Sequence, residues 1–135
     1  MPMRRLLCLA VLCVSCGGPL EYVTPSSGNV AGADAKIKAN VNEKRKQTQL
    51  EVAVTNLPPP ERVDASSQHY VAWYRRDATV VWTRVAALAY EPDSREGQLV
   101  GSVPEAKFEF EITAEPVADA ASPSPQVVFV QAIGD

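Results

Sequence analysis

The feature that most constrains the fold is a two-residue alternation of apolar and polar side chains, which recurs in short segments. The clearest segments are Ala35–Val41, Leu50–Val54 and Phe108–Ala114. Successive side chains of a β-strand point to opposite faces of its sheet, so this period places the apolar side chains of each segment on one face. The alternation therefore predicts β-strands with one buried face and one polar face.

Turn-forming residues divide the rest of the chain into further strands of similar length. The other β-prone segments are His69–Arg75, Thr79–Tyr90, Gln98–Val103 and Gln126–Ala132. Seven strands with regularly spaced turns predict an all-β fold, a single antiparallel β-sandwich of immunoglobulin-like size over residues 35–132. Trp73 lies midway along the third strand, where such sandwiches often place a core tryptophan. No cysteine pair accompanies it, which excludes a true antibody-type domain.

Two connections between these strands have distinctive compositions. The charge run Glu43–Lys46 lies between the first two alternating segments, so it is interpreted as the solvated turn of a hairpin and not as a nucleic-acid patch. Leu57–Pro60 contains three consecutive residues without a backbone donor and cannot continue a strand. It predicts a crossover between the two sheets, with a proline-rich recognition motif as the alternative.

The amino-terminal segment is typical of an export signal. Arg4 and Arg5 precede the apolar run Leu6–Val14, and small residues follow it. A helix needs roughly 20 apolar residues to span a bilayer, so this run is too short for a permanent transmembrane helix.

The residues Leu12–Cys16 resemble the bacterial lipobox, in which a small residue precedes the cysteine that receives the lipid. Ser15 is that small residue here, while Cys13 stands where the family has a leucine. The resemblance implies that residues 1–15 are a lipoprotein signal peptide and that Cys16 is lipidated after cleavage. Several acyl chains on one residue suffice for stable anchoring. An ordinary secretory signal is the alternative.

Residues 16–34 are predicted to be the lipidated cysteine and a flexible linker, because they are rich in glycine, proline, serine and threonine. The alternative is that Tyr22 and Val23 pack onto the domain as an extra edge. All three cysteines lie in the first sixteen residues, so no disulfide is expected in the domain.

Several segments resemble the extracytoplasmic C-terminal domain of anti-sigma-K-type regulators. They are Leu57-Pro58-Pro59, Tyr70–Trp73, Ala87–Tyr90, the Gly97 turn, Phe110–Pro116 and Pro123–Pro125. These are packing and turn residues, so the resemblance implies a fold and carries over no functional residue. Such regulators have a sigma-binding region and a spanning helix ahead of this domain. Neither is found here, so contact with a sigma factor is not expected.

The charge balance excludes one class of partner. The chain has 13 basic and 16 acidic residues, a net charge of -3, and loss of Arg4 and Arg5 with the signal would leave it more acidic. Binding to nucleic acid depends on lysine and arginine neutralising phosphates. No nucleic-acid partner is therefore expected.

The sequence offers only weak candidates for catalysis or metal binding. Asp64, Ser66, Ser67 and His69 supply the residue types of a hydrolase triad, but neighbours in one loop do not converge as a triad requires. His69 is the only histidine, so zinc is not expected. The acidic residues of the turn 91–96 could offer oxygen ligands to calcium, but ordinary turn chemistry explains them better. They are Glu91, Asp93 and Glu96. Catalytic, cofactor and metal sites are all predicted to be absent.

Two further groups of residues have alternative interpretations. Five aromatic residues lie on two strands that are expected to be neighbours, where they fill the core or, if exposed together, stack on sugar rings. They are Tyr70, Trp73, Tyr74, Trp82 and Tyr90. Glu109, Glu111 and Glu115 alternate with apolar residues and are expected to form a solvated outer stripe.

These observations predict a non-enzymatic binding, assembly or sensing module of the bacterial cell envelope. It would be held on a membrane by a lipid on Cys16, face the periplasm or the exterior, and bind an envelope protein or glycan without a cofactor. A carbohydrate-binding protein that uses exposed tyrosine and tryptophan is the first alternative, and an enzyme accessory is the second.

Overall fold

The structure is a computed structural model that describes residues 18–28 and 30–134. The predicted signal peptide and Cys16 lie outside the described residues. The strands are β1 (Leu20–Pro25), β2 (Asp34–Asn42), β3 (Gln47–Thr55), β4 (His69–Arg75), β5 (Thr83–Ala87), β6 (Ala89–Glu91), β7 (Glu96–Val103), β8 (Phe108–Glu115) and β9 (Val127–Ile133). A single helical turn, α1 (Pro60–Val63), begins on a proline, which needs no backbone donor there.

The strands form two antiparallel sheets packed face to face. The first sheet has the order β1-β2-β3-β7-β6 and the second has the order β5-β4-β8-β9. Without β1, this is the connectivity of an immunoglobulin-like sandwich: β2, β3, β7 and β6 take the places of strands A, B, E and D, and β5, β4, β8 and β9 those of C′, C, F and G. The predicted all-β sandwich is confirmed.

The alternation in the sequence sets the register of the first sheet. Every second residue of β2 and β3 is buried, and the residues between them are exposed. Pairs such as Ala35 with Val54 and Ile37 with Val52 lie opposite each other on the inner face. The run Glu43–Lys46 forms the turn between these two strands, as predicted.

The prolines form the crossover from the first sheet to the second, also as predicted. Leu57 is fully buried at its start. Two tyrosines fix its carbonyl groups: the Tyr70 hydroxyl donates to Pro58 O, and the Tyr90 hydroxyl donates to Leu57 O at 2.6 Å. These bonds satisfy carbonyls that have no ladder partner.

The described residues form nine strands where seven were predicted for the chain. One difference lies in the segment 79–90. This segment was predicted as a single strand, but residues 76–82 form a loop and the remainder divides at Leu88 between the two sheets. The Leu88 amide donates to Tyr70 O at 2.8 Å, while its side chain is buried in the core. The chain thus changes sheet there and closes one side of the sandwich.

The other difference is β1, which lies within the segment predicted to be a flexible linker. Its backbone pairs with β2 from Leu20 opposite Ala39 to Pro25 opposite Asp34. Thr24 is buried in β1, and Tyr22 packs half-buried against the core, as the alternative expected of it, while Val23 is exposed. Backbone pairing and these two side chains hold β1 there without a long apolar pattern that the sequence could display. Val30 also packs in the core, so the domain begins well before Ala35.

Candidate functional site

The outer side of the second sheet carries a group of polar residues that is buried. Trp73 lies opposite Glu111 on β8, and Glu111 alternates with core residues, so both side chains point away from the core. Because its side chain points outward, Trp73 is not the predicted core tryptophan, although it is fully buried. We name this group the polar cluster. It consists of Trp73, Arg75, Glu109, Glu111, Thr113 and Glu115.

One half of the polar cluster is a chain of hydrogen bonds. Trp73 Nε1 donates to Thr113 Oγ1 at 2.8 Å, and the Thr113 hydroxyl donates to Glu115 Oε2. The Ser124 amide donates to the same Glu115 oxygen at 2.7 Å, and the Ser124 hydroxyl donates to Ala114 O at 2.7 Å. The loop 116–126 is thereby fastened over the end of β8. Because each buried group has a partner, this half stabilises the fold.

The other half of the polar cluster is electrostatic. Arg75 Nε lies 2.8 Å from Glu109 Oε2, and the Arg75 guanidinium lies 4.3 Å from the centre of the Trp82 ring. This stacking holds the loop 76–82 against the sheet. Glu111 lies between these groups and Glu115 and is 6% exposed.

Burial raises the pKa of Glu111 to about 7, since a charged carboxylate loses solvation there. Arg75 opposes this rise in pKa, while the carboxylates of Glu109 and Glu115 add to it. The predicted solvated stripe is therefore wrong for Glu111 and Glu115, which are 6% and 2% exposed, and the loop 116–126 bonds to Glu115 through Ser124. The signal in the sequence was Trp73 and Arg75, which lie on the outer side of β4 opposite Glu111 and Glu109 of β8.

The candidate hydrolase residues do not converge. The Ser66 hydroxyl and amide both donate to Asp64 Oδ2, which is a local turn, and Ser67 is buried with its amide on Asp64 O at 2.9 Å. His69 is exposed at the start of β4. Asp64 therefore orients a turn, and among the described residues neither Ser66 nor Ser67 bonds to the imidazole of His69 as a triad needs.

The candidate calcium ligands lie on the hairpin between β6 and β7. Glu91 and Glu96 face each other at the ends of the two strands, and Asp93 lies in the turn between them. All three are exposed. Within residues 18–28 and 30–134, no three histidine, cysteine or acidic residues are grouped so that they could hold a metal ion.

The aromatic residues do not form a flat exposed platform. Tyr70 and Trp73 are fully buried, on opposite sides of β4. Tyr90 contacts Tyr70 edge-on with ring centres 5.5 Å apart, and Tyr74 contacts Phe108 at 6.2 Å. Trp82 is half-buried under Arg75. This packing argues against sugar stacking by these residues together.

The outer side of the first sheet, in contrast, is open. We name it the open face. Its residues are Glu21, Val23, Lys36, Lys38, Glu51, Ala53, Gln98 and Val100. Val23 is 68% exposed and Val100 is 75% exposed, and a shallow depression of about 330 Å³ lies between β2, β3 and β7. Lys38 lies between Glu21 and Glu51 in the cross-strand register. The face thus combines apolar contact area with charges of both signs.

The sequence analysis missed the open face, although one signal was present. Leu99 and Val100 are adjacent apolar residues in a strand, so one of the two had to face outward. Leu99 is buried and Val100 is exposed.

Comparison with protein-family models, with curated proteins and with solved structures finds no match to this chain. The resemblances to the lipobox and to anti-sigma-K-type regulators stay predictions from the residues. In the part of the chain that the structure describes, no helix is long and apolar enough to cross a membrane.

Proposed function

We propose that this chain is a lipid-anchored protein of the bacterial cell envelope that acts as a non-enzymatic binding module, with the open face as its binding surface. Assembly and sensing are the forms that such binding would take. The anchor would be Cys16, and only three residues separate it from the start of β1 at Leu20. Partner binding by an open sheet face needs no catalytic group or cofactor.

The observation that supports this proposal is the contrast between the two outer sides of the sandwich. On the second sheet, the loops 76–82 and 116–126 contact the polar cluster, whose buried groups bond to one another, and Val130 beside it stays 52% exposed. On the first sheet, no loop of the described residues bonds to the outer side chains, and Val23 and Val100 lie exposed among charges of both signs. Apolar contact area rimmed by charged residues is a common composition of protein interfaces.

The anchor is tested by measuring the intact mass of the mature protein from its native membrane fraction. We expect a chain that begins at Cys16 and carries added acyl mass. A soluble, unmodified chain that begins elsewhere would contradict the anchor and would make the domain a freely secreted module.

The binding surface is tested separately by photo-crosslinking in the native envelope. A photoreactive amino acid replaces Val100 on the open face or, as the control, Val130, which is a valine on β9 of the second sheet and 52% exposed. We expect a defined crosslinked product from position 100 that is lost in the variant Val23→Asp. Equal products from both positions, or no product from position 100, would refute the open face as the binding surface.

A further inference from the structure

The start of β1 and three loops lie at one end of the sandwich. β2 continues past the residue paired with Leu20 and ends at Asn42, so the turn 43–46 lies at the end where β1 begins. The pairs Thr48 with Val103, and Arg75 with Glu109, bring the loops 104–107 and 76–82 to the same end. We name it the entry end.

The two ends of the sandwich differ in charge. Among the described residues, the turn and loops of the entry end carry five cations against three carboxylates. The cations are Lys44, Arg45 and Lys46, which are consecutive and exposed, with Arg76 and Lys107, and the carboxylates are Glu43, Asp77 and Glu105. Arg76 Nε lies 3.6 Å from Asp77 Oδ2. The opposite end carries eight carboxylates against two arginines. The carboxylates are Asp34, Glu61, Asp64, Glu91, Asp93, Glu96, Asp119 and the buried Glu115, and the arginines are Arg62 and Arg95. Basic charge is therefore concentrated at one end of an acidic protein.

The entry end also exposes an apolar side chain. Val81 lies in the loop 76–82 and is 82% exposed, next to the half-buried Trp82. Arg75 holds Trp82 against the second sheet, so the chain that presents Val81 is itself fixed. Basic residues beside an apolar side chain and an aromatic ring suit the boundary between lipid headgroups and acyl chains.

We propose that the entry end docks onto a membrane surface of anionic lipid headgroups, with the basic turn 43–46 as its main contact. The partner follows from charge complementarity and from the position of β1. Four residue steps separate Cys16 from Leu20, and a fully extended chain spans at most about 14 Å over that length. This last step depends on the proposed anchor, which would hold the entry end against the headgroups with the acidic end pointing away.

The experiment measures membrane partitioning without the natural lipid. All described strands and the core lie between Gly18 and Gly134, so a chain from Cys16 to Asp135 with Cys16→Ser contains the whole fold. Its partitioning is measured by co-sedimentation with vesicles of phosphatidylglycerol and phosphatidylethanolamine, and with vesicles of phosphatidylcholine. We expect binding to the anionic vesicles that falls as salt is added, and little binding to the neutral ones.

A matched pair of variants separates the docking surface from net charge. Lys44→Glu with Lys46→Glu changes the net charge as much as Arg62→Glu with Arg95→Glu at the opposite end, and all four side chains are exposed. We expect the first pair to lower partitioning about tenfold or more and the second to change it little. Equal losses, or no preference of the unchanged chain for anionic vesicles, would overturn the proposal. Because this chain carries no lipid, failure here is distinguishable from failure of the anchor, which the mass measurement tests.

Discussion

Among single residues, Glu111 has the most consequential environment. It is buried between Arg75, Glu109 and Glu115 on the outer side of the second sheet, and its pKa is raised from 4.5 to about 7. In the folded state it therefore keeps its proton at pH values where the unfolded chain has released it. At this group the folded state then binds more protons than the unfolded state, so the contribution of Glu111 to stability falls as the pH rises between about 4.5 and 7.

We expect Glu111→Gln to remove this dependence, because the amide has the shape of the neutral carboxyl and no charge to bury. Above pH 7 the variant should be more stable than the unchanged protein by about 3 kcal/mol, since the pKa rises from 4.5 to about 7 and one unit of pKa corresponds to about 1.4 kcal/mol. Urea denaturation across this pH range measures the effect. Glu51→Gln, at an exposed carboxylate of the open face, is the control. An unchanged pH dependence in Glu111→Gln would show that Glu111 is not the responsible group.

Trp73 tests the hydrogen-bonded half of the polar cluster. Trp73→Phe removes the donor to Thr113 Oγ1 and leaves space under the loop 116–126, so we expect a loss of about 1–3 kcal/mol in the free energy of unfolding. Trp82→Phe, at a half-buried ring on the same side of the sheet, should cost less. The urea concentrations at which the two variants are half unfolded measure these losses. An equal or larger loss from Trp82→Phe would contradict the structural role given to Trp73.

Between elements, β5 packs closely on β7 across the sandwich at Gly101. A Cβ at Gly101 would lie 2.7 Å from Val85 Cγ1, and valine has little rotameric freedom with which to move aside. We expect Gly101→Ala to destabilise the fold by about 1–3 kcal/mol. Adding Val85→Ala should recover part of this loss, because the second change removes the atom in the way. Thermal unfolding measures both variants.

The control for this prediction is Gly18→Ala, because nothing lies within 4 Å of a Cβ built at Gly18. Its unfolding temperature should equal that of the unchanged protein. If Gly101→Ala were equally harmless, the close packing of β5 on β7 would be wrong.

The elements differ in how much of them the sequence could predict. The alternating apolar residues located β2, β3 and β8, and the β-prone segment 69–75 coincides with β4. Alternation works there because each strand has one face in the core. It does not work for β1, where backbone pairing with β2 supplies most of the order, or for the change of sheet at Leu88, which tertiary contacts impose.

The candidate surfaces were harder to predict, for a different reason. Alternation predicts the side of the sheet on which Glu111 lies. Contacts made by the loops 76–82 and 116–126 decide whether side chains on that side are exposed or buried. Ser124 reaches Glu115, and Trp82 stacks under Arg75. The open face could have been partly predicted, because Leu99-Val100 places an apolar residue on each side of β7.

For the whole molecule, the central question is how a two-sheet sandwich avoids pairing with its own copies through free strand edges. One side is closed by the chain that passes from β5 to β6, whose strand in the first sheet has only three residues. The other side is closed by bonds between β1 and the neighbourhood of β9. Thr24 Oγ1 donates to Gln131 Oε1 at 2.6 Å, and the Ser27 amide donates to Val128 O at 2.7 Å.

β1 should therefore protect the molecule as well as stabilise it. A chain that starts at Ser26 leaves the nine residues of β2 as a free edge. The charged side chains Asp34, Lys36 and Lys38 then remain on that strand to oppose pairing with another chain. We expect this chain to unfold at a lower temperature and to self-associate with rising concentration, whereas a chain that starts at Gly18 stays monomeric. Sedimentation velocity over a concentration series distinguishes the two. A monomeric and equally stable chain from Ser26 would mean that β1 is dispensable, and that the linker predicted from composition describes these residues better than their pairing does.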